Sequence, residues 1–160
     1  MPVAGPIAQI IRPFLAAGCL AALAGPARVE AQASESIREL FERDFVEAWQ
    51  ARDASAIARL WLPDGDWSNV VGSRRVVQGT AALQEVWEVG LRGRSTPPEL
   101  AIEIAVDHIR LLDSTHAVVD LVMTFAPATT GQIREAFVMI VVFVEGDWRV
   151  AAARAARISP

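Results

Sequence analysis

The apolar positions of this chain change period near its middle, and that change divides it into two structural halves. Ile37, Leu40, Phe41, Phe45, Ala48 and Trp49 recur three and four apart, with Arg38, Glu42, Arg43 and Glu47 between them. Such spacing puts the apolar set on one helix face, and Ser34 or Ser36 is placed to cap its start. Asp53 caps a second short helix over 54–60, which Pro63 ends. Short strands are predicted over 66–71 and 75–77, parted by Gly72-Ser73. Thr80 then opens a helix bearing Leu83, Val86, Trp87 and Leu91, and a loop over 92–98 closes this half.

From residue 99 the period shortens. Segments 99–112, 116–125, 133–145 and 148–155 are rich in Val, Ile and Phe. Asp113-Ser114, the 127–132 loop and Gly146-Asp147 separate them, as antiparallel hairpins require. Helices followed by a long meander predict one α+β domain, with the helices packed on one face of a mostly antiparallel sheet. The run Phe137-Val-Met-Ile-Val-Val-Phe-Val144 is apolar at both parities. Both faces of that strand are therefore expected to be covered, one by helices and the other by the sheet of a second copy, giving a homodimer.

The N-terminal region changes this picture in one respect. Arg12 precedes Phe14-Leu-Ala-Ala-Gly-Cys-Leu-Ala-Ala-Leu-Ala24, and the run leads to Ala31-Gln-Ala33. Residues 1–33 read as a cleavable signal peptide and 34–160 as the mature domain, secreted or periplasmic. A disordered Ala-rich leader on a cytoplasmic protein is the alternative. The run is too short to span a bilayer, so no membrane association is expected after cleavage. Leu15-Ala-Ala-Gly-Cys19 resembles a lipoprotein box, but Ala16 and the apolar residues after Cys19 depart from it, and no lipid anchor is expected.

Cleavage at Ala33 leaves no cysteine, hence no disulfide or thiol chemistry, and 13 basic against 18 acidic residues. Mild acidity without a basic cluster argues against nucleic acid as a partner. Every basic residue apart from the two histidines is Arg, and Tyr is absent. Schiff-base catalysis and tyrosine acid chemistry are thereby excluded.

Two polar residues stand out on apolar strands. Asn69 follows Trp61-Leu-Pro-Asp-Gly-Asp-Trp67 on the first strand, as a cavity amide or as a partner for the turn backbone. Trp61 and Trp67 are candidate pocket walls or core. On His116-Ala-Val-Val-Asp-Leu-Val-Met-Thr-Phe125, alternation puts Asp120 on one face with Val118 and Val122. Facing a cavity, its pKa would rise and suit a general base; facing solvent, it would pair with Arg134. His108 and His116 sit about opposite in a hairpin, but no third ligand stands at fixed spacing, and no metal is expected. No elbow-like glycines frame a serine, and no G-x-G-x-x-G follows a strand, so no cofactor is expected.

The ordered motifs Phe45-Val-Glu-Ala-Trp-Gln-Ala-Arg-Asp53, Leu60 to Gly72, Val77-Gln-Gly-Thr80 and Trp148-Arg-Val-Ala-Ala152 resemble the nuclear transport factor 2-like superfamily. Within it the look-alike is the SgcJ/EcaC family, related to SnoaL-type cyclases and ketosteroid isomerase. The resemblance covers about Ser36 to Arg157 and implies a cone-like fold with a pocket. The chain departs from the family at Ala153-Arg-Ala-Ala156, where a polar Asn-Thr ending is usual, and at Asp120, where a His is common. The resemblance implies a small lipophilic partner, such as a polyketide-like or steroid-like carbonyl compound. Asp120 would be its base, Asn69 its polar contact, and Trp61, Trp67 and Phe137 its apolar wall. The alternative is a non-catalytic dimeric ligand-binding or interaction module.

Overall fold

The computed structural model describes residues 25–69, 75–92, 101–125 and 133–158. Residues 1–24 of the expected 1–33 signal peptide, with Cys19, the expected Gly72-Ser73 turn, and the expected loops over 93–98 and 127–132 lie outside these residues. Helix α1 spans Pro26–Glu39, starting ahead of the expected caps because Pro26 suits a first helical turn, where no N–H is needed. The backbone stays helical through a π-helical stretch, Leu40–Phe45, and α2, Val46–Gln50. This stretch keeps Leu40, Phe41, Phe45, Ala48 and Trp49 all buried on the core side.

Arg52 takes a left-handed conformation (φ 58) and turns the chain. Asp53 Oδ1 then accepts the Ala56 N–H at 2.8 Å and caps α3, Ala54–Arg59, as expected. Helix α4, Thr80–Leu91, is entered through Gly79 rather than capped by Thr80. Gly79 has φ 87 and ψ 152, a conformation side chains disfavour.

Six strands follow in the sheet order β2-β1-β6-β5-β4-β3. They are β1 (Trp61–Asn69), β2 (Val76–Gln78), β3 (Ile102–Leu111), β4 (His116–Phe125), β5 (Ile133–Val144) and β6 (Asp147–Ile158). Among the described residues, the β1–β6 pairing is parallel and the others are antiparallel. Strand β1 starts at Trp61, earlier than expected, because an irregularity between Trp61 and Asp66 lets the chain pass Pro63 and Gly65 without breaking off. Glu145 and Gly146, with φ 55 and 95, form a two-residue hairpin turn, so β6 resumes at Asp147.

The helices cover one face of this sheet, which we call inner. Ala117, Val119, Leu121, Met123 and Phe125 of β4 are buried there with Phe137, Met139 and Val141 of β5. Val150, Ala153 and Ala155 of β6 continue the core. Burial of each large side chain in it contributes about 1.5–3 kcal/mol. The result is an α+β cone.

Candidate functional site

Inner-face side chains line up in rungs across the strands. One rung reads Trp67–Ala153–Met139–Val119, and the next Asn69–Ala155–Phe137–Leu121–Val106. A third reads Arg157–Glu135–Met123–Ile104. Neighbouring rungs lie about 6.6 Å apart and neighbouring strands about 4.8 Å. Among the described residues on these rungs, the polar side chains are Asn69, Glu135 and Arg157, all on two adjacent rungs. Burial differs along these two rungs: Asn69 and Glu135 are half-buried and Arg157 is exposed, while Ala155, Phe137, Leu121, Val106, Met123 and Ile104 stay buried.

The sequence-predicted residues divide between the two faces. Asn69 shares a rung with Phe137 on the inner face, and Trp67 lies one rung away. Asp120 lies on the outer face, directly opposite Val138 and His108, so it is not a cavity base. The reason is parity: Val119 and Leu121, its chain neighbours, are the ones the helices bury. The expected partner Arg134 faces Thr124 instead, and among the described residues Asp120 has no ion pair.

Trp61 and Phe137 are 2% and 3% exposed, which makes them core rather than open wall. The rings of Phe45 and Trp87 close over Trp61 at 6.3 and 5.6 Å. Glu135 and Arg157, which face each other across β5 and β6, are candidate residues that sequence reasoning did not single out. The signal was present: Glu135 is the acid in the otherwise apolar alternate series Ile133, Phe137, Met139 and Val141. It becomes visible only once that parity is known to be inner.

The corner between β1 and α4 has unmet hydrogen-bonding capacity. The indole N–H groups of Trp61, Trp67 and Trp87 are buried with no hydrogen-bond partner among the described residues. A buried donor left without an acceptor costs about 1–3 kcal/mol. Trp61 and Trp87 pack on each other at 5.6 Å within the core, while Trp67 is half-buried on β1.

Two other features are structural. A half-open cleft of about 450 Å³ at the far end of the β5–β6 hairpin is lined by Leu40, Arg43, Arg59, Phe143, Trp148 and Arg149 among others. Its arginines are engaged: Arg43 pairs with Asp44 at 2.8 Å and Glu39 at 3.3 Å, and Arg149 donates to the Arg59 carbonyl at 3.1 Å. The two histidines do not face each other, since His108 lies opposite Asp120 and His116 binds Asp113 at 3.1 Å. Among the described residues no group of three His, Cys, Asp or Glu could hold a metal.

The family model of the SnoaL-like domain matches residues 43–151. The chain belongs to the SnoaL-like domain family. That span of the SnoaL-like domain runs from the π-helical stretch into β6. Solved structures share its fold at low identity. A protein of unknown function from Mycobacterium tuberculosis is 18% identical with a TM-score of 0.68, covering 86% of this chain and 79% of its own. An NTF2-like protein of unknown function from Shewanella oneidensis is 13% identical with a TM-score of 0.63, over 78% and 98%. A ketosteroid isomerase-like protein from Erwinia carotovora is 18% identical with a TM-score of 0.59, over 84% and 96%. No curated protein matches the chain.

Proposed function

We propose that this SnoaL-like chain binds a small lipophilic molecule at the end of the sheet where Asn69, Glu135 and Arg157 lie. Asn69, Glu135 and Arg157 hold its polar end, and its apolar body lies against Trp67 with Phe137 beneath. One observation carries this reading: among the described residues of the three inner rungs, the polar side chains Asn69, Glu135 and Arg157 fall on two neighbouring rungs beside buried apolar ones. A few convergent polar groups on an apolar wall are what small-molecule sites have in common. The unpartnered indole donors support a ligand that carries an acceptor such as a carbonyl oxygen. Glu135, in place of Asp120, is then the carboxylate placed for acid–base work on that molecule.

Native mass spectrometry of protein purified from its source tests the reading. The expected result is a retained small molecule that is lost from the Asn69→Ala and Glu135→Gln variants. Quenching of indole fluorescence by apolar ketones gives a second readout. Failure of both measurements in the wild-type chain would refute the site. A ligand released chemically unchanged would mark a binder rather than an enzyme.

The ordered motifs support a place in the SgcJ/EcaC branch, and the 1–33 pattern supports export with cleavage near Ala33. Such cleavage would trim α1 to its Ser34–Glu39 end, sparing the buried Ile37. N-terminal sequencing of the natural protein should begin at Ser34; a chain that keeps 14–24 would contradict export.

A further inference from the structure

The two edge strands of the sheet are unequal. Strand β2 at one edge has 3 residues, Val76–Gln78, whereas β3 at the other has 10, Ile102–Leu111. An edge presents unpaired N–H and C=O groups that a further strand can take, and a long edge presents more of them. On β3, Val106 has both groups engaged by side chains from the helical layer. Arg38 Nη1 donates to the Val106 carbonyl at 3.0 Å, and the Val106 N–H donates to Glu42 Oε1 at 3.2 Å. Arg38 on α1 and Glu42 in the π-helical stretch stand four residues and 3.6 Å apart. A donor and an acceptor held side by side are what a neighbouring strand would offer there.

Antiparallel alternation fixes what lies on either side of Val106. Its backbone groups point away from β4, so those of Ile104 and Ile102, at the same parity, do too. The register shifts between Val106 and His108, with Asp107 as the extra residue. Beyond the shift, Ile109 and Leu111 lie opposite Val119 and Ala117, which share the parity of Leu121, the partner of Val106. Their backbone groups therefore face the edge as well. The bulge and the Arg38–Glu42 pair stand at one place and divide the edge into two short stretches. We infer that Arg38 and Glu42 form a latch that keeps the β3 edge from taking a further strand, and that an unlatched edge pairs with β3 of a second copy.

The unlatched edge is self-complementary because of the bulge. Two β3 strands set antiparallel about a two-fold axis between Val106 and Asp107 bring Ile104 opposite Ile109 and Ile102 opposite Leu111. All four direct backbone groups to the edge and pack side chains on the core, as residues paired across a ladder must. On the outer face Glu103 comes opposite Arg110, twice over, as isologous pairing requires. The latch opposes this because its side chains occupy the backbone groups nearest the axis. None of these residues is Asn69, Glu135 or Arg157, so this proposal and the ligand site can fail separately.

Two measurements on the full chain test it. Hydrogen exchange of the Val106 amide should quicken about tenfold in Glu42→Ala, the scale of one charge-assisted hydrogen bond. Glu42→Gln keeps an acceptor and should exchange as wild type does. In sedimentation velocity, the Arg38→Ala, Glu42→Ala double variant should form a species of twice the wild-type mass. Adding Arg110→Glu, which sets like charges opposite Glu103, should abolish that species, and adding Glu103→Arg as well should restore it. Association through misfolding would not follow the charges in this way. Unchanged Val106 exchange in Glu42→Ala would overturn the latch. A double variant that sediments as wild type at ~10 μM, or one whose association survives Arg110→Glu, would overturn the pairing.

Discussion

Glu135 lies directly opposite Arg157 across the β5–β6 ladder, on the face that the helices cover. Asp120 lies on the other face of the same sheet, opposite Val138. The two carboxylates therefore have separable roles. Glu135→Gln should reduce retention of the bound molecule about tenfold, the scale of one charge-assisted hydrogen bond. Asp120→Asn should leave retention unchanged. Native mass spectrometry of the two variants side by side decides, and the opposite ranking would return the chemistry to the outer face.

Gly65→Ala should destabilise the fold. An added Cβ would stand 3.0 Å from the Leu62 and Val150 carbonyl oxygens and 3.1 Å from Trp61 Cδ1. Two of these neighbours are backbone and the third is a packed ring, so none yields easily. The Gly65 carbonyl also accepts the Gly79 N–H at 2.9 Å, tying β1 to the start of α4. A loss of about 1–3 kcal/mol is expected, read as a lower urea midpoint with an unchanged slope.

Asp53→Ala should cost about 1 kcal/mol through the lost cap of α3, and Asp53→Asn much less. The ranking is checked by the same urea titration. Equal losses in both variants would point to the weak Asp53–Arg59 ion pair, at 3.9 Å, rather than to the cap.

Acid stability should show the contribution of the β3–β4 turn. The backbone N–H of Thr115, then the His116 ring and the Thr115 hydroxyl, hold the Asp113 carboxyl down at about 2, below its ordinary 3.8. The Thr115 N–H donates to Asp113 Oδ1 at 2.7 Å and the His116 N–H at 2.9 Å. A carboxyl with a depressed folded pKa stabilises the native state above its unfolded pKa, and that stability fades as pH falls through the folded value. The Tm difference between wild type and Asp113→Asn should thus be steady above about pH 5 and shrink towards pH 2. A difference that persists undiminished at pH 2 would show that the turn acts by shape alone.

Much of the architecture was legible in the chain. Helical spacing from Ile37 to Trp49 marked the buried face correctly, and Asp53 was readable as a cap because its acceptor serves a donor only three residues away. Element starts were less legible where the backbone did something local pattern does not encode. Examples are the π-helical stretch at Leu40–Phe45, the passage of β1 through Pro63 and the entry to α4 at Gly79. Asn69 was singled out as a candidate because a polar amide stood among apolar strand neighbours. Trp61 stayed open between wall and core because a large ring looks alike in sequence whether Phe45 and Trp87 cover it or a ligand does.

The sequence by itself determined the order of elements, the α+β class and the cone family, because helical and strand periodicities are local properties of neighbouring side chains. It also determined that Asp120 shares a face with Val118 and Val122, and Glu135 with Ile133 and Phe137, since alternation along a strand is geometric. Only the tertiary structure decided which of those faces the helices cover. Both parities of β4 and β5 are largely apolar, so hydrophobicity along the strand cannot choose between them. The choice comes from the register across ladders, which puts Glu135 on a rung with Met123 under the helices and Asp120 on a rung with Val138 and Arg154 outside.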